Sequence, residues 1–233
     1  RVAVAVECFH KASLIHDDIE DGDAERYGVA TLHSEHGVPV ALNVGDLLIG
    51  EGYRLLAEAD FSAEQRARMI RVASLGQRAL CKGQGTELGW TRNPRPMTSV
   101  EVLSIFEGKT APAFAVALRL GALAAGVEAD ETVAPALESY SRALGIAYQI
   151  RDDIEDYTQG GAGAPDDLTA QRPGVVLSAG WERAQGAAKE VLESRWRRET
   201  VHGLDAVRAA CTESGALERC QDLLERYKEE AIR

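Results

Sequence analysis

The chain has 233 residues, 45% of them hydrophobic and only 6% aromatic, enough for one large domain or two small ones with a sizeable core. Its net charge of −11 argues against nucleic acid or an anionic membrane as the main partner, because both demand a basic face. A polyanionic substrate stays compatible if metal ions stand between it and the protein.

No stretch approaches the roughly 20 apolar residues of a membrane helix, so no membrane span is expected, and no secretory signal is visible. Cys8, Cys81, Cys211 and Cys220 form no CxxC pair and no metal-ligand spacing, which predicts reduced thiols in a cytoplasmic protein. The first residue is Arg1 rather than Met, so the sequence is expected to lack its natural N-terminus.

Taken in chain order, apolar residues recur at three- and four-residue intervals over residues 2–19 and again over 38–56, predicting two long helices. Ser62 with Gln65, and Thr98 with Glu101, read as capping boxes that open two more. Pro112 lies inside an apolar stretch; it either kinks a helix near Lys109 and Thr110 or stands near a helix start. Asp130 is a candidate cap for a helix running toward Asp156. The clearest breaks are 91–97, with two prolines, and 159–165, with Gly160, Gly161 and Gly163. From Ser178 onward shorter amphipathic, charge-rich helices run to Arg233. No alternating run is long enough for a strand, and no linker demands a boundary. One all-α domain over 1–233 is the economical expectation.

One pattern outweighs the rest. Residues 15–21 read Ile-His-Asp-Asp-Ile-Glu-Asp and residues 150–156 read Ile-Arg-Asp-Asp-Ile-Glu-Asp, identical at six of seven positions. The flanks share nothing, so this is one chemical device used twice rather than a structural repeat. On a helix Asp17 and Asp21 share a face, with Asp18 about 100° round from Asp17. Like charges at that spacing destabilise a helix unless a cation lies between them. A lone acidic run is ordinarily a solvated helix face; a near-exact duplicate set in apolar helices is not. Two such clusters facing each other suit Mg²⁺, which is commonly held by one or two carboxylates plus substrate phosphates. Arg26 and Lys109 are candidate phosphate contacts, the first bidentate and the second a point charge. Gln149, one turn before the second cluster, is a polar cavity contact or a helix–helix hydrogen bond. His33 and His36 have a spacing that could seat zinc, but no second histidine–cysteine group completes a four-ligand site. No GxSxG, GxxxxGK[ST] or GxGxxG motif appears.

The run Ser13-Leu14-Ile15-His16-Asp17-Asp18-Ile19-Glu20-Asp21, followed by Arg26, Gly28, Thr31 and His33, resembles the first aspartate-rich region of trans-prenyl diphosphate synthases. Gly45-Asp46, then Gly83-Gln84 with Glu87-Leu88, then Gly108-Lys109-Thr110, resemble that family's next motifs in the same order. Residues 148–156 resemble its second aspartate-rich region, and the likeness covers about residues 3–180. The resemblance implies an isoprenoid-synthase helical bundle around a central apolar cavity. It also implies two or three Mg²⁺ ions held by Asp17, Asp18, Asp21, Asp152, Asp153 and Asp156. Arg26, Lys109, Thr110 and Gln149 would contact the substrate, with Lys109 and Asp17, Asp18, Asp21, Asp152 and Asp153 as the catalytic set. The implied reaction condenses isopentenyl diphosphate with an allylic diphosphate, in a homodimer whose interface the apolar helices around 98–126 could supply. Phe9, with the small Ala12 and Ser13 above it, would form the cavity floor, implying a product of geranylgeranyl size or longer.

This chain departs from the family pattern at three places. Tyr27 stands where a second arginine is usual, no Gly-Lys-Arg segment lies upstream, and Gly163-Ala164-Pro165 replaces a usual Gly-Lys-Pro, with Arg172 near a second usual lysine. All three concern phosphate contacts. Two other readings follow: a terpene-synthase-like enzyme that ionises without condensing, and a non-catalytic partner subunit. The intact aspartates argue against the second.

Overall fold

A computed structural model describes residues 1–127, 133–159, 172–199 and 201–233. The two periodic stretches form α1 (Val2–Asp21) and α3 (Val38–Ala57), joined by α2 (Leu32–His36), a short helix not expected from the sequence. The helices α4 (Ala63–Arg92) and α5 (Ser99–Lys109) follow the two capping boxes, and α6 (Ala111–Ala125) and α7 (Val133–Gln159) come next. Four shorter ones follow, α8 (Val175–Arg183), α9 (Gly186–Trp196), α10 (Leu204–Glu213) and α11 (Ala216–Ile232). The chain divides into two compact units, one made of Arg1–Gly76 with Val116–Pro135 and the other of Gln77–Ala115 with Ala136–Arg233.

Both expected capping boxes are present. The Thr98 hydroxyl accepts from the Glu101 backbone N–H while the Glu101 carboxylate accepts from the Thr98 N–H, and Ser62 and Gln65 exchange the equivalent pair. Pro112 sits at the start of α6, after α5 has ended at Lys109. Of the two readings of that proline, the helix-start one holds. The 91–97 break is also found, between α4 and α5. The Asp130 cap, and residues 160–165 of the second break, lie outside the described residues.

One element departs from the all-helical expectation. A two-rung antiparallel ladder pairs β1 (Glu25–Arg26) with β2 (Val29–Ala30). Tyr27 and Gly28 close it with φ of 55° and 75°, the positive values a two-residue hairpin turn requires. Period-2 reasoning misses an element this short.

In the first unit α1 packs along α3 through small residues. Ala5 and Ala12 on α1, with Ala41, Gly45 and Gly52 on α3, are buried and bring the two backbones close. The Phe9 ring lies on Gly52, where an added Cβ would stand 2.5 Å from it, and meets Tyr53 edge-on at 5.0 Å between centroids. Leu56, Met69, Val72, Leu120 and Leu123 complete that core.

The second unit is built on the apolar faces of α5 (Val102, Ile105, Phe106) and α7 (Ile146, Ile150, Tyr157), closed by α8 to α11. Trp90 and Trp196 stack edge-to-face at 5.6 Å within it. Burial pushes the Cys211 and Cys220 thiols up to about 12, so neither is a reactive thiolate near neutral pH. All four cysteines are free. Among the described residues no helix is long and apolar enough to cross a membrane.

The capping box carries a pH signature. The Arg95 hydrogen bond, then those of Thr98, hold the Glu101 carboxyl down at about 2 against an ordinary 4.5. A carboxyl depressed on folding stabilises the fold above its unfolded value, and that contribution is lost as pH falls through the folded one. Glu101→Gln should therefore lower the thermal midpoint near neutral pH and converge with the unaltered protein as pH drops from about 4.5 to about 2. Calorimetric melts across that window check it.

Candidate functional site

Both acidic runs occupy the C-terminal turns of long helices. Asp17, Asp18 and Asp21 end α1, and Asp152, Asp153 and Asp156 lie in the last two turns of α7. A helix C-terminus carries the negative end of the backbone dipole, so carboxylates there are doubly disfavoured, and neither last turn holds a basic residue. Gly22 stops α1 one residue past Asp21 in the left-handed conformation (φ 71°), its N–H bonded to the Asp18 carbonyl.

The two runs are used alike. In each, the second aspartate is buried, Asp18 at 6% exposure and Asp153 at 7%. Asp18 Oδ1 accepts from both Nε and a terminal nitrogen of Arg26, each at 2.7 Å. The hairpin returns Arg26 to that position eight residues after Asp18. Burial by itself would lower the Arg26 pKa; the hydrogen bond and charge of Asp18, helped by Asp17, outweigh it and raise it. Asp153 Oδ2 accepts the Val175 backbone N–H at 2.5 Å, capping α8 from a distance. The outer aspartates are more accessible: Asp17, Asp21 and Asp156 are half-buried and Asp152 is exposed.

Arg26 thus lies against a carboxylate, and Lys109 does likewise. The Lys109 ammonium, at the last residue of α5, donates to Glu87 at 2.9 Å, with side-chain exposures of 20% and 8%. Thr110 caps α5, and Gln149 is half-buried on α7, four residues before Asp153. In the first unit Ala12 is buried and the Ser13 hydroxyl turns back to the His10 carbonyl.

Three residues with site geometry were not assigned a role from the sequence. Glu87 was legible only as part of a motif, although it stands one turn from Gly83 on the same face of α4. His16 fills the space over Gly45, where an added Cβ would lie 2.2 Å from its Nε2, and that nitrogen is 3.7 Å from Asp46. Both neighbours are long-range, so spacing could not reveal them.

Asp17, Asp18, Asp21 and Arg26 belong to the first unit; Lys109, Thr110, Gln149 and the second aspartate run belong to the other. Among the described residues no three His, Cys, Asp or Glu side chains converge to hold a metal ion unaided. Pairs of carboxylates with an all-oxygen donor set fit a hard cation that takes its remaining ligands from water and phosphate.

A family model described as polyprenyl synthetase matches residues 1–213. The chain belongs to the polyprenyl synthetase family. Among curated relatives it is 33% identical over 178 residues to a geranylgeranyl diphosphate synthase of Methanosarcina mazei, covering 76% of this chain and 52% of that protein. To the farnesyl diphosphate synthase of Escherichia coli it is 32% identical over 204 residues, covering 82% and 67%. A crystal structure of a polyprenyl synthase from Caulobacter crescentus, complexed with calcium and isoprenyl diphosphate, superposes with a TM-score of 0.84 at 30% identity. That match covers 99% of this chain and 70% of the other. The polyprenyl synthetase chain described here therefore spans between about half and about two thirds of these curated relatives.

The His16 contact makes a stability prediction. Gly45→Ala should force His16 out of place and cost about 1–3 kcal/mol. Gly50→Ala on the same helix meets nothing within 4 Å. It should be neutral or stabilising by up to about 1 kcal/mol. Paired denaturant titrations of the two variants check the contrast.

Proposed function

We propose that the chain is the catalytic region of a prenyltransferase that condenses isopentenyl diphosphate with an allylic prenyl diphosphate, giving a product of geranylgeranyl size or longer. The observation that carries this reading is the duplicated aspartate run at the negative ends of α1 and α7, in a chain of the polyprenyl synthetase family. The geranylgeranyl and farnesyl diphosphate synthases among its relatives support the substrate class. The calcium and isoprenyl diphosphate in the Caulobacter complex support a divalent cation and a diphosphate.

Asp17 and Asp21 of the first run, and Asp152 and Asp156 of the second, are proposed as ligands of two or three Mg²⁺ ions, with Asp18 and Asp153 adding ligation or orienting their own runs. Bound Mg²⁺ would neutralise the charge that grows on the departing diphosphate. The protein's own part is electrostatic and steric. Lys109, with Thr110 and Gln149, would bind and orient the allylic diphosphate. Arg26 would hold Asp18 so that Asp17 and Asp21 keep a fixed register. Phe9, with Ala12 and Ser13, is proposed as the floor of an apolar cavity that would exclude water from the allylic cation. The active form is proposed as a homodimer.

Tyr27, 90% exposed on the hairpin turn where the family usually has an arginine, favours one second reading. There the allylic diphosphate ionises without chain growth.

Incubation of the full-length protein with Mg²⁺, isopentenyl diphosphate and each of dimethylallyl, geranyl and farnesyl diphosphate, followed by product sizing, separates the two. Chain growth that stops on chelation is expected. Pyrophosphate release without growth would replace the first reading with the second. Asp17→Asn and Asp152→Asn should each reduce kcat on the order of 10²-fold or more, since metal stabilisation of the leaving group contributes several kcal/mol. Phe9→Ala should shift products to longer chains; an unchanged length distribution would remove Phe9 as the floor.

A further inference from the structure

Two motifs separated by more than twenty residues form one crossing in the second unit. Gly83 on α4 and Gly108 near the end of α5 touch backbone to backbone. A Cβ added at Gly83 would stand 2.2 Å from both the carbonyl carbon and oxygen of Gly108 and 2.5 Å from the Lys109 backbone nitrogen. One added at Gly108 would stand 3.1 Å from the Gly83 Cα. No side chain can sit between the helices there, so the crossing fixes the base of Lys109. One turn beyond Gly83, on the same face of α4, Glu87 fixes the tip: its carboxylate accepts the Lys109 ammonium at 2.9 Å.

Glu87 is buried, with 6% of its surface exposed. An ionised carboxylate is costly there unless a cation satisfies it. The ammonium has three donors, so the bond to Glu87 does not exhaust its capacity to meet an anion. A free lysine chain has considerable rotamer entropy, and a chain held at both ends has less left to lose when a ligand arrives.

We infer that Glu87 is a positioning residue: through the Gly83–Gly108 crossing and its bond to Lys109, it pre-aligns the Lys109 ammonium for the diphosphate of the allylic substrate. This rests on the proposed prenyltransferase reading and adds to it a residue that contacts no substrate. Glu87 acts only through Lys109. Its influence should therefore fall on the allylic substrate and not on isopentenyl diphosphate.

Steady-state kinetics of the full-length protein at saturating Mg²⁺, with each substrate varied in turn, test this. Glu87→Gln keeps the side chain's size and removes its charge. It should raise KM for the allylic diphosphate about tenfold while KM for isopentenyl diphosphate stays within about twofold. Glu87→Asp, which keeps the charge on a shorter arm, should recover part of the loss and supplies a second variant if Glu87→Gln folds poorly. In a Lys109→Met background Glu87→Gln should add less than about twofold, because no ammonium remains to be placed.

The inference is overturned if Glu87→Gln leaves the allylic KM within about twofold, if both KM values rise together while the thermal midpoint falls, or if the two substitutions multiply. Unaltered protein that neither binds nor turns over an allylic diphosphate with Mg²⁺ would instead overturn the prenyltransferase reading, and this inference with it.

Discussion

Like charge gathered at the wrong end of a helix is the constraint from which the rest of this molecule follows. Six aspartates stand in the C-terminal turns of α1 and α7, next to one another and at the negative pole of the backbone dipole. The fold relieves part of that burden itself. It folds a short hairpin back so that Arg26 meets Asp18, and it starts α8 so that the Val175 N–H meets Asp153. In each run one carboxylate is thereby committed and buried. Asp17 and Asp21 in the first run, and Asp152 and Asp156 in the second, are more accessible.

The same economy governs the cationic residues. Arg26 and Lys109 each hold a carboxylate, at 2.7 Å and 2.9 Å. Each pair is partly buried, where an interaction is screened less than at the surface and where removing one partner leaves an uncompensated charge. Cations held this way are oriented before any ligand arrives. Under the proposed function, charge preorganised in this way would cost no rearrangement at the moment of reaction.

Glycines make these placements possible by what they leave out. Gly45 leaves room for His16, Gly52 for Phe9, Gly83 for the backbone at Gly108, and Gly145 for Ala111, whose Cα would lie 2.6 Å from an added Cβ. The Gly-Asp, Gly-Gln and Gly-Lys-Thr motifs are therefore as much about packing as about chemistry. Each of these glycines lets a side chain or backbone from another element approach closely, and a side chain there would displace it.

By itself the sequence determined the helices, the capping boxes at Ser62 and Thr98, the break at 91–97 and the duplicated acidic device. Periodicity, caps and motif spacing act over a few residues, and a seven-residue near-identity is visible without any fold. It left two readings of Pro112, and it hid the hairpin at residues 25–30, because two-residue strands have no period. Only the tertiary structure decided that Asp18 belongs to Arg26, Asp153 to Val175, and Lys109 to Glu87. Those partners lie eight to twenty-two residues apart, across a turn or on another element. Which of several equivalent carboxylates is buried depends on what the chain folds back upon, and no local pattern encodes that.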